Sequence, residues 1–362
     1  FLNRALTAEN YLETKGISLF EPQDKTIEEM KQYVAYMIMP NRRLPQVGDT
    51  SSSLFSRDYD HPWVSYSLSN GLEGVRPPDD SVVYPDAGIA ILRDEWKSGT
   101  EFPETTYLMF QSAFHSTVHK HADDLGFVLY SLGEDIFVGP GVYAYGDSKY
   151  RQYVTSTQAH NTLTIDGSGY PVIWDNVGKA RITDYSLNEA FDFVQGSHNM
   201  YDGVTLRRGI VLIRPSTILL IDELISTTEH SVQQIFNLAP SAHDLTFDRD
   251  GASFLVGDKG VHVEIRQLCN TTSVRHYEGQ EEPVRGVVSP AANTIVPVHQ
   301  LEFENHGNGT VFVTQISVTG LDHDIPDMTV ECQYPYTSIS FDQDGGPSIT
   351  INLDGVARES AP

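Results

Sequence analysis

The stretch HKHADDLGFVLYSLGEDIFVGPG, residues 119–141, decides how the rest of the chain is read. Leu125 to Leu132 is a run of apolar and aromatic residues, and Ile136 to Val138 is a second. Gly133-Glu134-Asp135 between them has turn chemistry, so the pair predicts a β-hairpin. The same texture repeats outward. Thr106 to Phe114 reads as an aromatic-rich strand. Ile210 to Ile213 and Ile218 to Ile221 flank Arg214-Pro215-Ser216-Thr217, a second hairpin. Phe254, Val261 to Ile265, Val311 to Val318 and Ile349 to Ile351 continue the series. Many short strands separated by turn signals predict a mainly β protein, a large antiparallel β-sandwich.

The front of the chain differs. Ile27, Met30, Val34, Met37 and Ile38 recur at helical spacing behind Thr26 and Glu29, which have the spacing of a capping box, and Pro40 stops that helix. A weaker helix is expected from Ala8 to Lys15, ending at Gly16. Residues 40–85 are rich in Ser, Pro, Asp and Gly and read as a linker. The expected division is therefore a helical segment and linker over 1–80 and a β domain over 81–362. A chain that starts Phe1-Leu2-Asn3, with neither initiator Met nor signal peptide, reads as a processed chain or a fragment.

Composition narrows the function. The chain has 362 residues and a formal net charge of −25. That sign excludes non-specific nucleic-acid binding, which needs basic patches. It also weighs against a polyanionic partner, although a cleft focuses its own local field. No apolar run is long enough to span a membrane. The two cysteines, Cys269 and Cys332, either pair or stay as thiols. Oligomeric state is left open.

Polar chemistry concentrates in three places. The first is His115 to Asp124, with three histidines in seven residues, His115, His119 and His121. In an extended chain residues two apart share a face, so His119 and His121 would lie together, able to bind a metal or move protons. Asp123 and Asp124, as neighbours, would point apart and make a poor carboxylate pair for hydrolysis. The second is a Gly-Pro-Gly turn at 139–141, followed by Tyr143, Tyr145, Tyr150 and Arg151. The third is Ala159-His160-Asn161 before the alternating strand Thr162 to Ile165.

In this order the clusters, HKHADDLGFVLYSLGEDIFVGPGVYAY and then YRQYVTSTQAHNTLTIDG, resemble the C-terminal domain of the heparinase II/III-like polysaccharide lyases. PNRRLPQVGDT resembles the end of that family's helical toroid. VVYPDAGIAILR resembles its entry strand, and RRGIVLIRPSTILLIDEL a later hairpin. The resemblance implies an incomplete (α/α) toroid followed by an antiparallel sandwich. It implies β-elimination on a 4-linked uronic acid, with an acidic polysaccharide as partner and a periplasmic or secreted location. It implies a catalytic His at His119 and a catalytic Tyr at Tyr145 or Tyr150, with Tyr143, Arg151 and Asn161 as substrate contacts. Arg42, Arg43, Arg207 and Arg208 are further candidates for carboxylate or sulfate groups. It also implies a divalent metal, often zinc, held by the second His of HxH, the Asp of a DPG turn and the His of AHN. The histidines are His121 and His160. Gly139 stands where the Asp is expected, so Asp123, Asp124, Asp135 or another acid takes its place, or the metal is lost. No Asn-His pair in residues 1–80 supplies the groups that relatives draw from the toroid. The competing reading is a non-catalytic carbohydrate-binding or structural sandwich derived from such a lyase.

Overall fold

A computed structural model of the chain describes residues 2–18, 25–189, 191–269, 271–309, 311–320, 328–331, 338–342, 348–352 and 357–359. Three helices come first, α1 (Leu2–Glu13), α2 (Thr26–Met37) and α3 (Pro62–Leu68). Helix α2 begins at Thr26 itself, with Lys25 at the N-cap and no side-chain cap there, so the expected capping box does not form. Helix α1 reaches further forward than its apolar spacing suggested, and α3 lies inside the stretch read as linker. That helix is capped by the His61 side chain, which accepts from Trp63 N, with Pro62 at its first position.

Five strands follow as a meander: β1 (Val82–Tyr84), β2 (Ile89–Arg93), β3 (Tyr107–Gln111), β4 (Gly126–Ser131) and β5 (Glu134–Phe137). The β4–β5 turn is Leu132-Gly133, both with positive φ, rather than Gly133-Glu134-Asp135. Two left-handed residues give the tight hairpin its twist. Helix α4 (Lys149–Thr155) and β6 (Leu163–Ile165) come next. Long strands then run through β7 (Ala180–Leu187), β8 (Phe191–Tyr201), β9 (Val204–Ile213), β10 (Thr217–Ser226) and β11 (His230–Asn237). They continue as β12 (Ala242–Asp248), β13 (Gly251–Val256), β14 (Val261–Gln267) and β15 (Ser273–Glu278). Short pairs β16 (Gln280–Glu281) with β17 (Val284–Arg285), and β18 (Val287–Val288) with β19 (Val296–Pro297), precede β20 (His299–Gly307) and β21 (Val311–Thr319).

Every ladder described is antiparallel. Eight strands form one sheet in the order β12-β13-β14-β21-β10-β9-β8-β7, and four form another in the order β15-β20-β11-β6. The strands Thr329–Glu331, Ser338–Asp342, Ser348–Asn352 and Ala357–Glu359 make a separate four-stranded sheet. The expected mainly β sandwich is what the chain adopts.

One core joins the layers. Phe110, Phe127 and Phe137 of the meander meet Phe236 and Phe303 of the four-stranded sheet and Leu220, Phe254 and Ile316 of the eight-stranded sheet. Each such buried side chain stabilises by roughly 1.5–3 kcal/mol. The helical lead-in packs on the meander's other face, where its Tyr36 and Tyr66, with Trp96 and Phe102 from the β2–β3 connection, cover Ile91, Tyr107, Met109 and Tyr130. That second cover explains why β3 and β4 are buried at every position rather than at alternate ones. Cys269 is disulfide-bonded and buried, while Cys332 lies outside the described residues.

Candidate active site

The site is built around a carboxylate that the sequence reading placed in a linker. Asp49 is nearly buried, its side chain 4% exposed, and it collects three cationic or potentially cationic partners. Its Oδ2 lies 2.8 Å from His119 Nδ1. Its Oδ1 lies 3.0 Å from His121 Nε2 and accepts from Arg151 Nη1 at 2.7 Å. Burial alone would raise the Asp49 carboxyl, but the hydrogen bonds from His121, Arg151 and His119 outweigh it and hold the group well below the usual carboxylate range.

Asp49 reaches this place through its neighbours. Gly48 has φ +49, and a Cβ there would come within 2.7 Å of the His119 carbonyl oxygen, so only glycine fits. Gly48 N donates to Asp123 Oδ2 at 3.0 Å, and Asp49 N donates to His119 O at 3.3 Å. The 46–49 segment is therefore sewn onto the histidine loop from both sides.

That loop is not extended. His119 has φ +57 and Leu125 φ +58, so left-handed residues bracket it. Each such residue costs on the order of 1–2 kcal/mol, as strained positions at functional sites do. His119 and His121 meet through Asp49, not by sharing a strand face. Their settings differ sharply: the His119 side chain is 63% exposed and that of His121 is 0% exposed. Asp123 and Asp124, expected to point apart, converge on nearly buried Lys120, whose Nζ is 3.0 Å from Asp124 Oδ2 and also bonds Asp123 Oδ1. Asp124 is further held by the Tyr170 hydroxyl at 2.8 Å.

Tyr145 is the tyrosine brought to His119. Its hydroxyl lies 3.4 Å from His119 Nδ1, and the two rings meet edge to face at 5.9 Å. The Arg151 guanidinium sits 5.2 Å from the Tyr145 ring centroid. Arg151 is placed by α4, where the Ser148 hydroxyl caps Arg151 N, and it also donates to Val142 O at 2.9 Å. Tyr150 goes elsewhere: its hydroxyl donates to Glu281 Oε1 at 3.2 Å, and its ring packs on Tyr143 at 5.4 Å.

Two candidates for substrate contact are corrected by burial. Asn161 is 1% exposed, donates to Phe127 O and Val138 O, and accepts from Asn237 N. It ties β4, the end of β5 and β11 together and has no face left for a ligand. Arg208 is fully buried, forked onto Asp222 at 2.6 and 2.7 Å, and donates to the carbonyls of Leu125 and Asn161. It anchors the histidine loop and the 159–161 turn to the sheet beneath. Arg207 pairs with Glu223 across the β9–β10 ladder. Arg42 and Arg43 lie on the exposed segment that leads to Gln46.

The histidine pair implied as metal ligands does come together, with His121 Nδ1 and His160 Nε2 3.3 Å apart. His160 Nδ1–H donates to Ser156 O at 2.8 Å, which leaves Nε2 as the lone-pair atom. Burial, countered in part by Asp123, pushes His160 down to about 3, so it is neutral at neutral pH. A separation of 3.3 Å suits two zinc ligands with bonds of about 2.0–2.1 Å, yet a zinc site needs three protein ligands or four. Among the described residues no third is in place. A Cβ at Gly139 would fall 1.9 Å from the Gln46 carbonyl oxygen, so an Asp cannot stand there. Asp123 and Asp124 serve Lys120, and Asp135 accepts from Asn41 Nδ2 at 3.1 Å. Asp49 takes the other nitrogen of His121. Among the described residues no third ligand atom gathers on this pair, and the residues present do not fit the metal.

Asp49 was missed because nothing local marks it. The signal available was the PQVGDT stretch, where Gly48 and Asp49 end a turn-rich segment. Comparisons with known proteins agree with this architecture. A family model described as heparinase II/III-like, C-terminal, matches residues 76–349. The fold is similar to that of the heparan sulfate lyase HepC from Pedobacter heparinus, with a TM-score of 0.81 at 17% identity, over 97% of this chain and 56% of that one. It is similar to a heparinase III with methylated lysines, with a TM-score of 0.77 at 17% identity, over 92% and 53%. It is also similar to another heparinase III structure, with a TM-score of 0.74 at 18% identity, over 92% and 55%. The chain thus spans 53–56% of the length of these solved relatives. No curated protein matches the sequence.

Proposed function

The chain belongs to the heparinase II/III-like family through its C-terminal domain, and on that footing we propose that it is a polysaccharide lyase cleaving a 4-linked uronic-acid polymer by β-elimination. The observation that carries the proposal is the Asp49–His119–Tyr145 cluster: a nearly buried carboxylate holding an exposed imidazole beside an exposed phenol.

The chemistry follows from what the atoms can do. With Asp49 accepting from Nδ1–H, the neutral His119 ring carries its lone pair on Nε2, the orienting role a carboxylate plays for a general base. His119 Nε2 takes the C5 proton. The C5–H electron pair becomes the C4=C5 double bond as the C4–O4 bond breaks, and the Tyr145 hydroxyl gives its proton to O4. Both side chains lie open to solvent, which returns the proton to Tyr145 and removes it from His119. General acid and base groups so placed contribute roughly 10²–10⁴-fold each. Arg151, held against Asp49 and Tyr145, offsets the Asp49 charge where a uronate would approach. Among the described residues the site completes no divalent-metal ligand set. Tyr143 packs on Tyr150 at the start of α4. A polymer too large to enter a cell intact supports a periplasmic or secreted place of action.

The test is ultraviolet absorbance over time, with the chain mixed separately with heparan sulfate, alginate, hyaluronan and polygalacturonate. Elimination creates a double bond conjugated to the carboxylate, which absorbs. A rise with one polymer establishes the reaction and names the substrate class. New reducing ends without absorbance would mean hydrolysis. Polymer binding with no bond cleavage would mean a carbohydrate-binding module and would overturn the proposal.

A further inference from the structure

Three side chains that the elimination does not use converge where edge strand β15 meets β20. His276 and Glu278 are two apart on β15 and so project from one face. His299 on β20 is the register partner of Glu278. His276 Nε2 lies 3.0 Å from His299 Nδ1, and His299 Nδ1 lies 3.4 Å from Glu278 Oε2. The ligand atoms of all three residues fall within 4.8 Å of one another.

Hydrogen bonding accounts poorly for this arrangement. Both close contacts use the same atom, His299 Nδ1, and one N–H cannot point well at an imidazole nitrogen and a carboxylate oxygen together. Three lone-pair atoms gathered round one point are what a cation relieves. Around a tetrahedral zinc with bonds of about 2.0–2.2 Å, ligand atoms stand roughly 3.3 Å apart, and the two separations here lie either side of that.

We propose that His276, Glu278 and His299 hold a divalent transition-metal ion, zinc foremost, with the fourth position left to water. Two imidazoles and one carboxylate suit zinc and its neighbours in the series, and not calcium or magnesium, which take oxygen ligands. The Phe247 ring of β12 packs on the His276 ring at 5.1 Å and fixes its orientation. The Glu278 side chain is 53% exposed, so an ion enters from solvent without the sandwich opening. The contrast with His121 and His160 is direct: that pair has the spacing and lacks the third ligand.

The ion's position gives it work in the fold. Gly279 links Glu278 to β16, where Glu281 accepts from Lys149 Nζ at 2.5 Å and from Tyr150 at 3.2 Å. Those two residues open α4, the helix that carries Arg151. Metal at β15 therefore braces the start of the helix that positions Arg151.

Chelator-stripped chain is titrated with Co²⁺, whose visible absorption reports tetrahedral coordination, and with Zn²⁺ by calorimetry. The expected result is one tight equivalent, lost in Glu278→Gln and in His276→Ala and kept in His160→Ala. Zinc raises the Tm of the parent and leaves that of Glu278→Gln unchanged. Glu278→Gln keeps size and shape at a half-exposed position, and its metal-free Tm, matched to the parent's, shows that it folds. An equivalent kept in Glu278→Gln and His276→Ala, an equivalent lost in His160→Ala alone, or no binding by the folded parent would each overturn the site.

Discussion

The floor and the rim of the site are built by opposite means, although the short segment His119 to Leu125 contributes to both. On the floor, His121, Lys120, Asp123 and Asp124 are buried or nearly so, and each is engaged by protein partners. Arg208 and Asn161 fasten that floor to the sheets. A low-dielectric setting strengthens such a network and makes any gap in it costly. On the rim, His119 and Tyr145 each have a single anchoring neighbourhood and otherwise face water. The floor uses its hydrogen bonds to fix position, while the rim keeps a nitrogen and a hydroxyl for a substrate. Asp49 belongs to both, since one oxygen meets exposed His119 and the other buried His121.

That division is open to direct attack. The largest effect is expected on the floor. Arg208→Ala leaves Asp222 buried without its counter-charge and releases the carbonyls of Leu125 and Asn161. Breaking a buried pair in this way costs about 3–5 kcal/mol, read as a lower urea midpoint. A loss under about 1 kcal/mol would mean that the floor is not the rigid support described. Asp49→Asn comes next. It keeps size and one acceptor but removes the charge that orients His119 and His121, and elimination should slow by about 10²-fold or more, following the triad logic for a base without its carboxylate. A rate within threefold of the parent would detach Asp49 from the rim.

The smallest effect at neutral pH is expected at His198, whose substitution acts on the pH dependence. His198 is buried, and burial, with Lys120 nearby, holds it down to about 3. Between its unfolded value near 6.5 and about 3, the unfolded chain binds a proton that the native chain does not, so its contribution to stability is full above about pH 6.5 and is lost as pH falls. His160 acts in the same direction. Asp94, raised to about 6 chiefly by burial, acts in the opposite one between pH 3.8 and 6. His198→Gln therefore flattens the stability curve below about pH 6.5 by up to about 1.4 kcal/mol per pH unit, measured by urea denaturation across pH. An unchanged slope would contradict a neutral buried His198.

Much of the fold was legible because strands and turns are local. The β4–β5 and β9–β10 hairpins stand where apolar runs flank turn residues, with each strand a few residues longer or shorter than its run. The clusters of polar chemistry were also legible, since His119, His121 and His160 do gather. What escaped was everything set by long-range packing. Asp49 enters from 70 residues before His119, in a stretch whose composition says only loop. The φ of His119 is fixed by contacts that no periodicity reveals. Asn161 and Arg208 carry polar side chains of the kind that bind sugars, and only burial distinguishes a structural latch from a ligand contact. Gly139 reads as a missing ligand in the sequence, and in space it is the clearance that Gln46 needs.

The most direct test of the whole account is the initial rate of ultraviolet absorbance rise for His119→Ala beside the parent, on whichever uronate polymer the parent cleaves. Asp49 keeps His121 and Arg151 as partners when His119 is removed, so the substitution should cost about 1 kcal/mol, that of one lost hydrogen bond, and leave the chain folded. The expected result is a Tm within a few degrees of the parent's and a rate lower by roughly 10²–10⁴-fold. A folded His119→Ala that eliminates at close to the parent rate would contradict it.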